Sequence, residues 1–197
     1  MPELIVPVGL ICGIDEAGRG PLAGTVVAAA VILDPARRIP GVADSKLVTA
    51  AARERLFPII RARAIAWAVA VVEPCEIDLI NIHRASLRAM RDALLALAPL
   101  PCFVIVDGFR LPDLPLPQRA VIGGDRLCAA IAAASILAKV TRDRLMCQLH
   151  EADPRYGFDR HKGYATADHL AAVARFGFSP AHRRTFRPPS LFDTMTL

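Results

Sequence analysis

One stretch decides how this chain is interpreted, namely Cys12-Gly13-Ile14-Asp15-Glu16-Ala17-Gly18-Arg19-Gly20-Pro21-Leu22-Ala23-Gly24. Two adjacent carboxylates, Asp15 and Glu16, end an apolar run that predicts a buried strand, and a glycine-rich turn with one arginine follows. A carboxylate at the edge of a buried strand is costly to desolvate unless a cation neutralises it, and glycines let a backbone approach a ligand closely. The combination indicates a hard metal ion held next to a phosphodiester.

Strand and helix signals alternate on either side of this stretch. The strands are predicted at 10–15 and 25–33, joined as a hairpin, and at 64–72, 103–107 and 120–122. The helices are predicted at 49–63 with a break at Pro58, at 82–98, at 125–150 with Asp125 as the N-cap, and at 166–176. This alternation predicts an α/β domain over 1–152, followed by a C-terminal helical segment over 153–197.

Composition narrows the class of protein. The chain has 197 residues, 54% of them hydrophobic, which is enough for one full core. A formal net charge of +5 suits a polyanionic partner. No segment is long enough to span a membrane and the N-terminus lacks the basic flank of a signal peptide, so we expect a cytoplasmic protein without membrane contact. Five scattered cysteines form no C-x-x-C pair and predict reduced residues, mostly in the core.

Two further acids, Asp107 and Asp125, join Asp15 and Glu16 at element boundaries. Open α/β sheets place functional groups at strand ends, so the four acids are expected to converge. Close carboxylates raise one another's pKa unless cations neutralise them, and oxygen ligands favour Mg²⁺ or Mn²⁺. Two such ions about 4 Å apart would clamp the attacking and leaving oxygens of a phosphoryl transfer. Simpler interpretations remain for Asp107 as a turn residue and for Asp125 as a helix cap.

The opening stretch resembles the signature of ribonuclease HII, the bacterial type 2 ribonuclease H. The further matches, in the order of that family, are Asp44-Ser45-Lys46, Ile77-Asp78, Asn81-Ile82, Ala85-Ser86-Leu87, Val106-Asp107-Gly108, Gly124-Asp125, the run from Ala132 to Asp143, His161-Lys162-Gly163-Tyr164 with Thr166 and His169, and Ser179-Pro180 with His182-Arg183. The resemblance covers almost the whole chain. It departs from the family at Phe109, where asparagine is frequent, and at Gly123, where lysine is common.

The resemblance implies a ribonuclease H-like fold with a mixed, mainly five-stranded sheet flanked by helices. The catalytic domain would be 1–152, and the segment 153–197 would pack on it and help to hold the duplex. The implied activity is endonucleolytic cleavage of the RNA strand of RNA–DNA hybrids and incision 5′ to single ribonucleotides in duplex DNA, leaving 3′-hydroxyl and 5′-phosphate ends. Asp15 would bridge two metal ions, Glu16 and Asp107 would complete one site, and Asp125 would hold the other.

Such an enzyme must recognise a single 2′-hydroxyl. The resemblance assigns this task to the backbone of Gly18, Arg19 and Gly20 and to Tyr164, although the glycines alone would also suit a tight hairpin. Tyr156 lacks the motif and is predicted to be structural.

Basic residues are candidates for phosphate contact: Lys46, Lys139, Arg142, Lys162 and Arg183. Lys139 shares a helix face with Ser135 and is expected to face either a phosphate or one of the four acids. His169 is expected to orient the tyrosine loop.

Three rival interpretations can be separated from this one. A four-carboxylate exonuclease would begin with an Asp-x-Glu pair, whereas Asp15 and Glu16 are adjacent. Ribonuclease HIII usually has an extra N-terminal domain, for which 1–11 leaves no room. A non-catalytic binding module would not need the four acids together. We expect a monomer, and Ser190-Leu191-Phe192 is a poor candidate for a sliding-clamp peptide.

Overall fold

The structure, a computed structural model, describes residues 9–42 and 49–186, and it is built around one five-stranded sheet. The strands are β1 (Ile11–Ala17), β2 (Val26–Leu33), β3 (Ala64–Val72), β4 (Phe103–Asp107) and β5 (Gln118–Val121). Their order is β3-β2-β1-β4-β5, with β1 antiparallel to β2 and parallel to β4. The predicted mixed sheet of five strands is therefore confirmed.

Helices cover both faces of the sheet. They are α1 (Ala50–Arg63), α2 (Pro74–Ile80), α3 (Ile82–Leu95), α4 (Ala129–Ala152), α5 (Phe158–His161) and α6 (Ala167–Phe176). The central strand β2 is apolar throughout because both of its faces are buried. Val26 and Ala28 pack towards α3, whereas Val27 and Ala29 pack towards α1 and α4. The result is a three-layer α/β/α arrangement.

Two predicted helix details differ from the structure. Asp125 is not the N-cap of the long helix, because it lies in a separate 3-10 turn, Gly124–Arg126, that follows Gly123 in the left-handed conformation. The helix α4 begins only at Ala129, and the residue before it makes no side-chain capping bond. The helix α1 runs through Pro58 without ending there. Its predicted cap is confirmed, because the Thr49 side chain accepts from the Ala52 N–H at 3.2 Å.

The elements after α4 pack against the turn that follows β1. Leu22 and Ala23 from that turn share a small apolar core with Met146, Phe158 and Val173. An isolated antiparallel bridge also joins Ala23 to His182. The proposed division at residue 152 stays a prediction, but the contacts establish that the C-terminal elements lie on the glycine-rich turn.

The cysteine prediction is only partly right. All five thiols are free, but only Cys12 is buried. Cys75 and Cys102 are exposed and the other two are half-buried, so the apolar runs around them do not place them in the core. Among the described helices, none is long and apolar enough to cross a membrane.

Candidate active site

The strand register brings the first and third predicted acids to one edge of the sheet. The parallel pair β1 and β4 matches Ile14 with Val106, so Asp15 and Asp107 each lie one residue further along neighbouring strands. Glu16 is next on β1 and therefore starts from the opposite face of the strand. Three carboxylates thus arise where two adjacent strands end.

Asp15 is the most deeply placed of these acids, with 7% of its surface exposed. One of its oxygens accepts the Glu16 N–H at 2.7 Å, and the Ser135 hydroxyl on α4 bonds to the same carboxyl group. Burial, followed by the charges of Glu16 and Asp107, raises the pKa of Asp15 well above its usual range. Ser135 is therefore in contact with this acid, as its predicted helix face allows.

Glu16 faces a cation from its own turn. Its Oε1 accepts a bond from Arg19 Nη1 at 3.3 Å, and the Arg19 guanidinium lies 5.4 Å from the centre of the Phe109 ring. Burial raises the pKa of Glu16, Arg19 opposes that rise, and Asp107 adds to it. Phe109 is half-exposed and also meets His83 edge-on at 5.0 Å. The unusual phenylalanine thus supports the arginine that pairs with Glu16.

A buried glycine connects Asp107 to the fourth acid. The Gly124 N–H donates to Asp107 Oδ1 at 2.7 Å, which fixes the 3-10 turn carrying Asp125 against the end of β4. A Cβ at Gly124 would lie 2.5 Å from Ile131 Cδ1 and 3.3 Å from that same carboxylate oxygen. A larger residue would require the Ile131 side chain to shift, so glycine suits the close approach that places Asp125 next to β4.

The carboxylates fit a hard cation by chemistry but are turned towards protein donors. Across residues 9–42 and 49–186, no group of three or more His, Cys, Asp or Glu side chains is arranged to hold a metal ion. Each of three carboxylates has a protein hydrogen-bond donor instead: Asp15 accepts from the Glu16 N–H, Glu16 from Arg19 and Asp107 from the Gly124 N–H. The four acids offer only oxygen ligands. Burial first, and then repulsion between the carboxylates, raises the pKa of Asp15 and of Glu16, and a divalent cation would offset both effects.

The glycine-rich turn touches the tyrosine motif as well as the acids. A Cβ at Gly20 would lie 3.8 Å from Tyr164 Cε1, and the Leu22 N–H donates to the Gly163 carbonyl at 2.8 Å. Tyr164 is 46% exposed, whereas Tyr156 is buried and donates to the Gly177 carbonyl at 2.9 Å. The structural interpretation of Tyr156 is confirmed, and Tyr164 faces outwards beside Gly20.

Buried histidines hold the tyrosine loop. The Ser179 N–H donates to His182 Nδ1 at 3.0 Å, His182 Nε2 lies 3.0 Å from His169 Nε2, and His169 Nδ1 lies 2.9 Å from the Tyr164 carbonyl. Since His182 Nδ1 accepts, its Nε2 carries the proton and donates to His169, which then donates to Tyr164. Burial is the main cause that lowers the pKa of both rings, to about 4 for His182. His169 does orient the tyrosine loop, and His182, which the sequence analysis matched to the family without giving it a role, completes the chain of hydrogen bonds.

The lysines predicted to contact phosphates have different partners in the structure. Lys139 pairs with Asp143 at 2.7 Å, one turn further along α4, rather than with any of the four acids as one alternative held. Lys162 donates to the Asp159 carbonyl at 2.7 Å and lies 3.0 Å from Cys147 Sγ. Lys46 lies outside the described residues.

Arg142 and Arg183 cannot contact phosphates, since both are almost completely buried. Arg142 donates to the carbonyls of Ala23, Thr25 and Lys162, and Arg183 donates to carbonyls of the turn. The helical spacing contained a signal for Arg142, because Ala138 and Met146, four residues on either side, are buried on the same face of α4. No comparable signal marks Arg183.

The fold and site together define a ribonuclease H-like nuclease, and comparisons with known proteins agree. The Ribonuclease HII family model matches residues 12–189. Ribonuclease HII of Dechloromonas aromatica (strain RCB) is 58% identical over 188 residues, which is 95% of this chain and 96% of that protein.

Solved structures give the same result at lower identity. Ribonuclease H2 from Pyrococcus horikoshii OT3 has a TM-score of 0.77 and 27% identity, covering 93% of this chain and 96% of that one. Ribonuclease HII from Archaeoglobus fulgidus, solved as a complex with PCNA, has a TM-score of 0.74 and 28% identity over 93% and 99% of the two chains.

The chain belongs to the ribonuclease HII family. It is a type 2 ribonuclease H, an endonuclease acting on RNA–DNA hybrids, in a family of metal-dependent enzymes.

Proposed function

We propose that this enzyme also incises duplex DNA 5′ to a single embedded ribonucleotide, leaving 3′-hydroxyl and 5′-phosphate ends. The observation that carries the proposal is that the turn after β1 reaches both halves of the site. Arg19 lies 3.3 Å from Glu16, and the position of a Cβ on the next residue, Gly20, lies 3.8 Å from Tyr164. A hydroxyl recognised by the turn and the tyrosine would therefore belong to a nucleotide next to the acids.

The catalytic groups we propose are Asp15, Glu16, Asp107 and Asp125, acting as ligands of two Mg²⁺ or Mn²⁺ ions. Ions bound there would activate the attacking water and stabilise the leaving 3′-oxygen. Ser135 would hold the Asp15 carboxylate in place, and Gly124 would do the same for Asp107. Arg19 would exchange Glu16 for a substrate phosphate, with the Phe109 ring supporting its guanidinium during the change.

We assign recognition of the ribose to the backbone of Gly18, Arg19 and Gly20 and to the exposed Tyr164. The tyrosine hydroxyl can donate to or accept from a 2′-hydroxyl, and its ring can pack on the neighbouring sugar. Lys139 and Lys46 are proposed as phosphate contacts at a greater distance from the reaction. Lys139 is partly exposed and would exchange Asp143 for a phosphate oxygen. The substrates are an RNA–DNA hybrid and a ribonucleotide-containing duplex, bound by a monomer.

Cleavage of three labelled duplexes tests the proposal: one with a single ribonucleotide, one all-DNA, and one RNA–DNA hybrid, each with Mg²⁺ or Mn²⁺. We expect incision 5′ to the ribonucleotide and no cut in the all-DNA duplex. Cleavage of the hybrid alone would refute the proposed recognition of single ribonucleotides. An Asp15→Asn variant that binds the duplex but does not cut it would support the ligand assignment, and one that cuts at the wild-type rate would exclude it.

A pair of tyrosine variants isolates the recognition step. Tyr164→Phe removes one hydroxyl from the exposed ring, whereas Tyr156→Phe removes one from a buried ring 2.9 Å from a carbonyl in the same part of the chain. We expect Tyr164→Phe to lower kcat/KM at single ribonucleotides by roughly tenfold or more, the loss that follows when a hydroxyl recognised by hydrogen bonds is left unpaired. Tyr156→Phe should lower the free energy of unfolding and leave kcat/KM at single ribonucleotides unchanged.

A further inference from the structure

The turn from Gly18 to Thr25 is organised around a single buried side chain from the far end of the chain. Arg183 has no exposed surface, and its guanidinium makes five hydrogen bonds to backbone carbonyls of this turn. The acceptors and distances are Gly18 at 2.6 Å, Pro21 at 2.9 Å, Gly24 at 2.9 Å, Arg19 at 3.1 Å and Thr25 at 3.2 Å. A guanidinium has five N–H groups, so its hydrogen-bonding capacity is used completely.

Two further carbonyls of the turn also accept hydrogen bonds from donors inside the protein. The Arg183 N–H donates to the Leu22 carbonyl at 2.8 Å, and Arg142 donates to the Ala23 carbonyl at 3.1 Å. Of the carbonyls from residue 18 to residue 25, only that of Gly20 has no hydrogen-bond donor among the described residues. The turn therefore directs its acceptors into the protein, and the N–H groups of Arg19 and Gly20 have no partner in the described part of the chain.

A buried cation in this place is costly, which argues that it does more than fill space. Every hydrogen bond that the guanidinium of Arg183 makes within residues 9–42 and 49–186 goes to a carbonyl oxygen. Burial, and then the charge of Arg142, lower the pKa of Arg183 to about 9. Gly18 fits around this pair only because it lacks a side chain: its φ is +98°, and a Cβ would lie 2.2 Å from Arg142 Nε. Lysine could not replace this fork, because its donors leave from one nitrogen.

We propose that Arg183 is the positioning residue of the ribose-recognition turn. It holds the carbonyls of residues 18, 19, 21, 22, 24 and 25 inwards, so that the turn presents the N–H groups of Arg19 and Gly20 to the nucleotide. The inference rests on the proposed recognition of a 2′-hydroxyl by this turn. Arg183 touches no substrate atom in this scheme, and the five hydrogen bonds of its guanidinium all go to backbone carbonyls.

The first test uses the wild-type protein and does not depend on activity. Nitrogen-15 spectra of the arginine side chains should show slow exchange and restricted rotation for two buried guanidinium groups, those of Arg142 and Arg183. The signals that disappear in the Arg183→Lys variant are those of Arg183. Rapid solvent exchange of the Arg183 signals would overturn the proposal. Backbone hydrogen exchange over residues 18–25 should be faster by about tenfold or more in Arg183→Lys, since the turn loses its fixed donors.

The second test separates positioning from stability. We expect Arg183→Lys to lower kcat/KM for a single-ribonucleotide duplex by about tenfold more than for an RNA–DNA hybrid, because a misplacement of the order of 1 Å is enough for such losses. Tyr156→Phe is the control, since the hydroxyl that it removes is bonded to the Gly177 carbonyl and not to the turn, and the ring stays in place. The quantity compared is kcat/KM for the single-ribonucleotide duplex divided by kcat/KM for the hybrid. If this ratio is the same in both variants, or unchanged from wild type in Arg183→Lys, the positioning role is overturned.

The two tests also separate this inference from the proposed function. If wild-type protein does not cut at single ribonucleotides, the proposed function fails, while slow exchange at Arg183 would still support its hold on the turn. If wild-type protein cuts there and Arg183→Lys cuts with unchanged discrimination, only the positioning role fails. Should Arg183→Lys not fold, the Arg183 side-chain signals are assigned through their scalar couplings to the backbone of the wild-type protein. Their exchange then decides the question, with rapid exchange refuting the hold and slow exchange supporting it.

Discussion

The contact between β1 and α4 depends on one glycine, and Gly13→Ala should show how much. Gly13 lies on the face of β1 that meets α4, where an added Cβ would be 2.3 Å from the backbone of Ala130 and Ile131. An ordinary van der Waals contact of a Cβ begins at about 3.4 Å, so strand and helix must separate by roughly 1 Å. Helix backbone cannot yield as a flexible side chain does. We expect a loss of about 3 kcal/mol or more, at the upper end of the cost of overpacking.

The loss should appear as a fall in Tm of about 6–12 °C for a chain of this size. Thermal and urea unfolding measure it. Gly41→Ala is the control, because Gly41 has φ +85° and no atom within 4 Å of an added Cβ, so that it reports backbone strain alone, about 1–2 kcal/mol. Since α4 carries Ser135 against Asp15, hybrid cleavage by folded Gly13→Ala should also fall. A Gly13→Ala protein no less stable than Gly41→Ala would refute the packing argument.

Three other variants test separate parts of the site. Burial and the neighbouring His169 lower the pKa of His182 to about 4. Between pH 6.5 and 4 the unfolded chain therefore binds a proton that the folded chain does not. The free energy of unfolding should fall by about 3 kcal/mol as the pH falls through that window. Urea unfolding at several pH values should show a smaller fall in His182→Gln. Asp15→Asn should be more stable than wild type without metal, because it removes a buried charge repelled by two neighbours, and its Tm should no longer rise with Mn²⁺; a rise equal to that of wild type would remove Asp15 from the ligands. Lys139→Met breaks an ion pair with Asp143 that is partly exposed and should cost less than about 1 kcal/mol. If Lys139 contacts a phosphate, the slope of log K for duplex binding against log salt concentration should become smaller in magnitude by about 1 in this variant. An unchanged slope would exclude that contact.

The sequence predicted the sheet well because its pattern is local. The run of β2 is apolar on both faces, and the run of β4 ends in an acid, so each strand could be found from its own residues. The helix start was wrong because Gly123 adopts φ +66° and begins a separate turn, which places Asp125 outside α4. Whether Asp125 caps the long helix or lies in a separate turn depends on the φ angle of Gly123, which the sequence does not give.

The prediction that Arg142 and Arg183 contact phosphates was wrong for a different reason. A sequence shows that a residue is charged but not which atoms surround it, and phosphate is the usual expectation for a basic residue in a nuclease. Arg183 instead meets carbonyls 158 to 165 residues away along the chain. For Arg142 the spacing of buried neighbours on α4 was informative, whereas Arg183 follows an irregular segment without any periodicity. Lys139 paired with an acid four residues away, a local arrangement that helix spacing does allow.

The groups that we propose for catalysis and for recognition lie in different parts of this molecule, so their effects can be measured separately. Asp15 and Asp107 are fixed by the register of β1 and β4, whereas Tyr164 is fixed through its carbonyl by His169 and His182. Loss of the histidine chain should therefore disturb the tyrosine and leave the acids in place. We expect His182→Gln to raise KM for single-ribonucleotide duplexes while the increase in Tm on adding Mn²⁺ stays equal to that of wild type. A smaller increase would mean that the acids also depend on the C-terminal elements, and the two functions would then be coupled through the turn that Arg183 holds.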